Sequence, residues 1–243
     1  METLWQDIRY GLRRLAKTPA FSLVVVLTLA LGIGANTAVF SVVNSFLLRP
    51  LPLPNPEQLT VVGIAHEGNL DPHPISYLDF IDYRKSAEVF SGMAGYLIGS
   101  VGLSDAERAE RATVCFVTSN YFSMLGVEPS RQAPGSRLIQ PGEGDAAGTA
   151  PILVLGHSYW QKRFGGDPSI VGQSVRINSK VFSIIGVVPA TFRGTYALAE
   201  FDAYLPIGMA ALDPYYKEFF VRRDLHFVRV IARLNPGVTI PQA

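Results

Sequence analysis

The sequence predicts an α+β protein carried on one N-terminal transmembrane helix. Three observations lead there. No charged residue stands between Lys17 and Arg49, a run too long and too uniformly apolar for a surface helix. Beyond it, strand-like runs come in neighbouring pairs joined by turns, with helices placed between pairs rather than alternating with single strands, which argues for α+β over a series of βαβ units. The balance of 21 basic against 20 acidic residues in 243, a net charge of +1, offers no electrostatic case for nucleic acid as a partner. Charged residues make up 17% of the chain, below the ~25% usual for soluble domains, and the apolar run accounts for most of the deficit.

The first element, residues 1–18, is "METLWQDIRYGLRRLAKTP" up to its proline. At ~100° per residue Leu4, Trp5, Ile8, Leu12 and Leu15 share one side of a helix. Arg9, Arg13, Arg14 and Lys17 take the rest. This predicts an amphipathic helix on the cytoplasmic membrane surface, with Trp5, Arg9, Arg13, Arg14 and Lys17 as its lipid-facing anchors. Pro19 then permits a sharp turn.

Residues 19–48 are the span. From Phe21 to Leu48 a helix would be ~42 Å long, more than the ~30 Å hydrocarbon core. A signal peptide's apolar region is only ~7–15 residues, and no A-x-A site follows here, so the span reads as a permanent anchor. The basic cluster precedes it, and after Arg49 the next Lys or Arg is Arg84. The positive-inside rule places the N-terminus in the cytoplasm and everything after about residue 49 outside. Ala30, Gly34, Thr37, Ser41, Asn44 and Ser45 fall on one helical face. Small and hydroxyl residues mark where transmembrane helices pack on one another, so this face is a candidate for contact with another helix.

The outside portion, residues 49–243, opens with "RPLPLPNPEQ", four prolines in a stiff linker. "LTVVGIA" reads as a strand. "SYLDFIDYRKSAEVF" reads as a helix, with Ser76 as N-cap, Asp79 in its first turn, and Tyr77, Phe80, Ile81, Tyr83, Val89 and Phe90 at helical spacing. Two strands follow, "AGYLIGSVGL" and "ERATVCFVTS", joined at "SDAE". "SNYFSMLGV" is a short helix stopped by Gly126. "EPSRQAPGSRLIQPGEGDAAGTAP" is a loose Gly- and Pro-rich segment. Then come strand "ILVLG", helix "SYWQKRF" with Ser158 as N-cap, a stop at Gly165, a turn at Asp167-Pro168, and the strands "QSVRIN" and "KVFSIIGVVP" joined by an "NSK" turn. "AEFDAYLPIG" and "LHFVRVIARL" are the last strands. At the end, "NPGVTIPQA", Thr239 or Pro241 should open a helix, so the chain reads as stopping mid-pattern. The row Val228, Val230, Ala232 and Leu234 is then expected to lack part of its cover and to leave an exposed patch and an unpaired edge.

Catalytic patterns are not found. His66, His73, His157 and His226 have no ligand spacing, and neither HExxH nor CxxC occurs. "GHSYW" around Ser158 begins like a nucleophile elbow but has Trp160 where the turn needs glycine. "FGGDPSIVG" lacks the Gly-Lys-Ser/Thr end of a phosphate loop. Asp79 and Asp82 read as a solvated helix face. Cys115, the only cysteine, lies in an apolar strand and reads as a buried small hydrophobe. The chain is read as no enzyme, with no cofactor and no metal.

One resemblance covers nearly the whole chain. "DIRYGLRRLAKTPAFSLVVVLTLALGIGANTAVFSVVNSFLLRPLP" resembles the start of a bacterial ABC transporter permease of the MacB/FtsX type, most similar to the duplicated permeases of acidobacteria. "SNYFSMLGVEPS" and "LGHSYWQKRFGGDPSIVGQSVRINSKVFSIIGVVPATFRG" resemble the MacB-like periplasmic core domain, and "LHFVRVIARLNPGVTIPQA" resembles the part leading back to the membrane. A departure lies at Glu128 to Arg137, where the family usually carries a glycine-arginine-phenylalanine run.

The resemblance implies a bacterial inner-membrane protein with a periplasmic porter-like α/β layer (about 57–126 and 224–243) and an inserted, mostly β subdomain (about 127–223). It also implies three further membrane helices, a separate ABC ATPase subunit, and other permease helices or a second permease copy as partners in an efflux or mechanotransmission system. The family's substrates vary, and no residue here selects among them. A membrane-anchored periplasmic binding or sensor module without transport is the alternative reading.

Overall fold

The computed structural model describes residues 17–43, 53–65, 72–105, 108–196 and 200–242. The chain divides into two compact units, Met1–Pro50 and Leu51–Ala243. In the first, helix α1 spans Pro19–Val43. Proline suits the first helical position because its missing N–H has no intrahelical partner there. The apolar window Pro19–Ser41 has a mean hydropathy of 2.2, and none of it is buried within the chain. Leu31, for example, is 77% exposed. A core helix would bury such side chains; this one has the length and composition to cross a membrane. The Thr28 hydroxyl donates to the Val24 carbonyl at 2.8 Å, so its polar group is satisfied inside the helix.

The second unit is built on eight strands: β1 (Leu59–Val62), β2 (Phe90–Ser104), β3 (Ala109–Val117), β4 (Ile152–Leu155), β5 (Ser174–Ile177), β6 (Lys180–Val187), β7 (Ala203–Pro206) and β8 (Arg229–Leu234). They form one sheet in the order β1-β8-β2-β3-β7-β4-β6-β5, and β5 also pairs with the far end of β2 through Leu103↔Ile177. The six strands from β2 to β5 therefore close into a ring, while β8 and β1 extend the sheet beyond it. Pairs β3–β7 and β4–β6 are parallel and the others antiparallel. The mixture agrees with α+β. Strands from 127–223 hydrogen-bond directly to strands of the preceding part.

Local chemistry fixes the connections. Helix α2 (Tyr77–Ser86) starts at Ser76, whose hydroxyl accepts from the Asp79 N–H as expected. It ends sooner than the spacing predicts: Phe90 opens β2 opposite Leu234, so pairing with β8 overrides the local helical pattern. Helix α3 (Tyr121–Leu125) stops at Gly126 at φ 70. The Val127 N–H bonds the Phe122 carbonyl and the Gly126 N–H that of Ser123, a Schellman closure that left-handed glycine allows. Helix α4 (His157–Phe164) stops at Gly165, φ 62. Asn178 and Ser179 both take positive φ, the requirement of a tight hairpin joining β5 and β6.

The segment 127–151 has neither helix nor strand, yet Ala133, Leu138 and Ile139 are buried. The Ser130 and Arg137 N–H groups bond the Val187 and Ile185 carbonyls. A Cβ on Gly186 would come within 2.3 Å of the Arg137 carbonyl oxygen. Glycine in β6 is what lets this segment lie against the sheet.

The expected apolar row is covered. Val228, Val230 and Ala232 are buried against Phe80 of α2, Ile75 and Met93, and Leu234 is buried as well. β8 is also no edge, since β1 pairs on one side of it and β2 on the other. At the end, Ile240–Gln242 form a 3-10 turn.

Candidate functional site

The residues singled out from sequence fall on the apolar helix, on the segment before it, and on the unit Leu51–Ala243. Ala30, Gly34, Thr37 and Ser41 lie on exposed positions of α1, and a Cβ on Gly34 would meet nothing within 4 Å. Lys17 is exposed. Trp5, Arg9, Arg13, Arg14, Asn44 and Ser45 lie outside the described residues.

In the unit Leu51–Ala243, the helix following β4 starts at Gly156, not at Ser158. A Cβ on Gly156 would come within 2.0 Å of the Phe201 carbonyl oxygen, so close backbone approach selects glycine there. The Ser158 hydroxyl instead donates to the Glu200 carboxylate at 2.7 Å, and Arg193 lies 3.2 Å from the same carboxylate. Among the described residues, positive φ at non-glycine positions is confined to Asn55, Asn178 and Ser179. Ser158 therefore sits in a regular first turn and lacks the strained backbone of a nucleophile elbow. Among the described residues, no three His, Cys, Asp or Glu side chains are placed to hold a metal ion. Cys115 is buried, and burial pushes its thiol well above the usual range, which keeps it unreactive.

The charged groups serve as ties between elements. Asp79 and Asp82 are not merely a solvated face: Arg223 reaches both, its Nη2 lying 2.7 Å from Asp82 Oδ2. The Ser76 hydroxyl, then Arg223, hold the Asp79 carboxyl below its usual range. Asp145 accepts from the Ser119 N–H at 2.7 Å and the Ser119 hydroxyl at 2.9 Å, and lies 3.3 Å from Arg84. This fastens the 140–150 loop to the turn before α3 and to α2. The Arg163 side chain, only 6% exposed, pairs with Asp105, and its Nε lies 3.6 Å from Glu110. The Tyr159 hydroxyl donates to that same Glu110, and burial together with this bond pushes the Tyr159 phenol up. These contacts join α4 to the β2–β3 hairpin.

An open cleft of about 380 Å³ is lined by Leu53, residues 126–132 and residues 189–192. It lies where the proline-rich linker meets the body. Leu53 is 8% exposed and belongs to the apolar cluster of Leu125, Leu138 and Phe192. Next to it, Pro54 packs on Gly126, where a Cβ would come within 2.8 Å of Pro54 Cγ. The linker is thus docked from Leu53 onward, a role that its composition alone did not show. What such an arrangement offers chemically is attachment, through apolar anchors and ion-paired ties.

Comparison with known proteins agrees with this picture. No curated protein matches the sequence. Among solved structures, the periplasmic region of MacB from Actinobacillus actinomycetemcomitans has a similar fold, at 14% identity and a TM-score of 0.57, covering 81% of this chain and 82% of that one. A domain described as that of a permease protein from Porphyromonas gingivalis is similar at 17% identity and a TM-score of 0.55, with 77% of each chain covered. These identities speak for the fold alone. The sequence family matched over residues 22–243 is described as the MacB-like periplasmic core domain. Since that match takes in most of the apolar helix and all of the described residues after it, the chain belongs to the MacB-like periplasmic core domain family of ABC-type permeases.

Proposed function

We propose that this chain is a permease subunit that carries motion driven by a separate ABC ATPase across the inner membrane to its outside unit, in efflux or in mechanotransmission. The observation that carries this reading is the family match running unbroken from the apolar helix through the body. These 243 residues contain no phosphate-loop motif, and on this reading a separate ATPase subunit supplies the energy. In this proposal the N-terminus is cytoplasmic and the outside unit periplasmic, following the basic cluster ahead of α1. Residues 57–126 and 224–243 act as the porter-like part and 127–223 as the inserted part. The small-residue face of α1 contacts another permease helix or a second copy, while the segment containing Trp5, Arg9, Arg13, Arg14 and Lys17 rests on lipid.

The test is affinity purification of the tagged chain from its native membrane in mild detergent. An ATP-hydrolysing subunit should co-purify, and its activity should be absent from the purified chain alone. Purification of the chain without any such subunit across several detergents would overturn the reading.

A further inference from the structure

The polypeptide leaving α1 re-enters the described structure at Leu53, and one side chain from the opposite end of the sequence holds it there. Arg233 lies on β8 opposite Leu59 of β1. Its Nε donates to the Met124 carbonyl at 3.0 Å, and its Nη1 donates to the Asn55 carbonyl at 3.2 Å and to Gln58 Oε1 at 3.4 Å. One guanidinium thereby joins the linker, the last turn of α3 and the sheet. The Met124 carbonyl belongs to the helix end, where carbonyls lack intrahelical partners and a cation is favourable. The planar fork lets one residue serve acceptors from separate segments, which an ammonium does less well. On the apolar side, Leu53 in the core and Pro54 against Gly126 hold the same segment. Between these holds, the linker's own order is slight: a 3-10 turn over Pro56–Gln58, with Gln58 N–H bonded to the Asn55 carbonyl.

We infer that Arg233 is the positioning residue of this junction, fixing residues 55–58 to α3 and β8 so that displacement of α1 moves the sheet instead of being taken up as slack in the linker. The transmission half of this inference rests on the function proposed above, and the clamp half does not.

Backbone amide exchange on the full chain in detergent tests the clamp. Arg233→Gln should speed exchange at Gln58 and Leu59 by about tenfold, leave Val230 and Ala232 unchanged, and keep Tm close to that of the parent. Arg233→Lys should recover part of the protection. No change at Gln58 and Leu59, or an equal acceleration throughout the body, would overturn the clamp. The same measurement on the chain with its co-purified ATPase tests transmission. ATP should alter exchange in β2 and β3 of the parent complex, and Arg233→Gln should abolish that response. A response retained in the variant overturns transmission through Arg233. A parent complex with no response instead overturns the proposed function and with it the transmission half, while the clamp result stands.

Discussion

Gly126 carries two constraints at one atom. Its φ of 70 is in the left-handed region, and a Cβ there would come within 2.8 Å of Pro54 Cγ. Gly237 has φ 84 but open space around it. Denaturant unfolding should therefore separate them: Gly126→Ala should lower stability by about 2–4 kcal/mol, combining backbone strain with overpacking, and Gly237→Ala by about 1 kcal/mol from strain alone. Equal losses would show that Pro54 yields without resistance. Arg223 gives a prediction with a pH sign. The Asp79 carboxyl is held below its ordinary value of 3.8, first by Ser76 and then by Arg223. Its folded-state value is depressed, so the stability it contributes is fully present above that ordinary value and is lost as pH falls through the depressed one. Arg223→Ala should cause a small drop in Tm at pH 7, because the pairs are largely solvent-exposed. That difference should shrink below pH 3.8. A difference that grows in acid would contradict the assigned sign.

At the level of the element, α1 has no charged face to direct it, its large apolar side chains are exposed, and it is long and apolar enough to cross a membrane. Its small residues matter only if a second helix approaches. A Cβ on Gly34 meets nothing within 4 Å among the described residues, so there is open space where Gly34→Leu adds its side chain. Loss of co-purification with other permease helices in Gly34→Leu, with Val25→Leu behaving as the parent, would therefore report a packing face. Identical behaviour of the two variants would remove the small-residue stripe from consideration. The helix of Tyr77–Ser86 shows a different balance. Its N-cap was legible at Ser76, but its end was not, because Phe90 is drawn into a strand by its pairing with Leu234.

For the whole molecule, orientation is the property that sequence charge predicts and the fold leaves open. Alkaline phosphatase, active only outside the cytoplasm, fused after Gly95 should be active, following the basic residues ahead of α1 and their absence from Arg49 to Arg84. A well-expressed but inactive fusion would reverse the topology. The unit Leu51–Ala243 also shows how distant segments set stability together. The apolar row of β8 is sealed by α2 and flanked by β1 and β2, so the exposed patch expected from the sequence end does not arise.

The sequence by itself determined the apolar helix, the α+β character, most strands, and the stops at Gly126 and Gly165. These depend on length without charge, on local periodicity and on backbone sterics, all of which act within a few neighbouring residues. Only the tertiary structure decided that β5 returns to β2, that the loose 127–151 segment lies along β6, that Ser158 bonds Glu200 instead of capping its helix, and that Arg233 holds the linker entering at Leu53. Each is a contact between residues far apart in the chain. Such contacts are favourable only once burial and chain closure have brought the partners together, and no local pattern in either segment specifies the other.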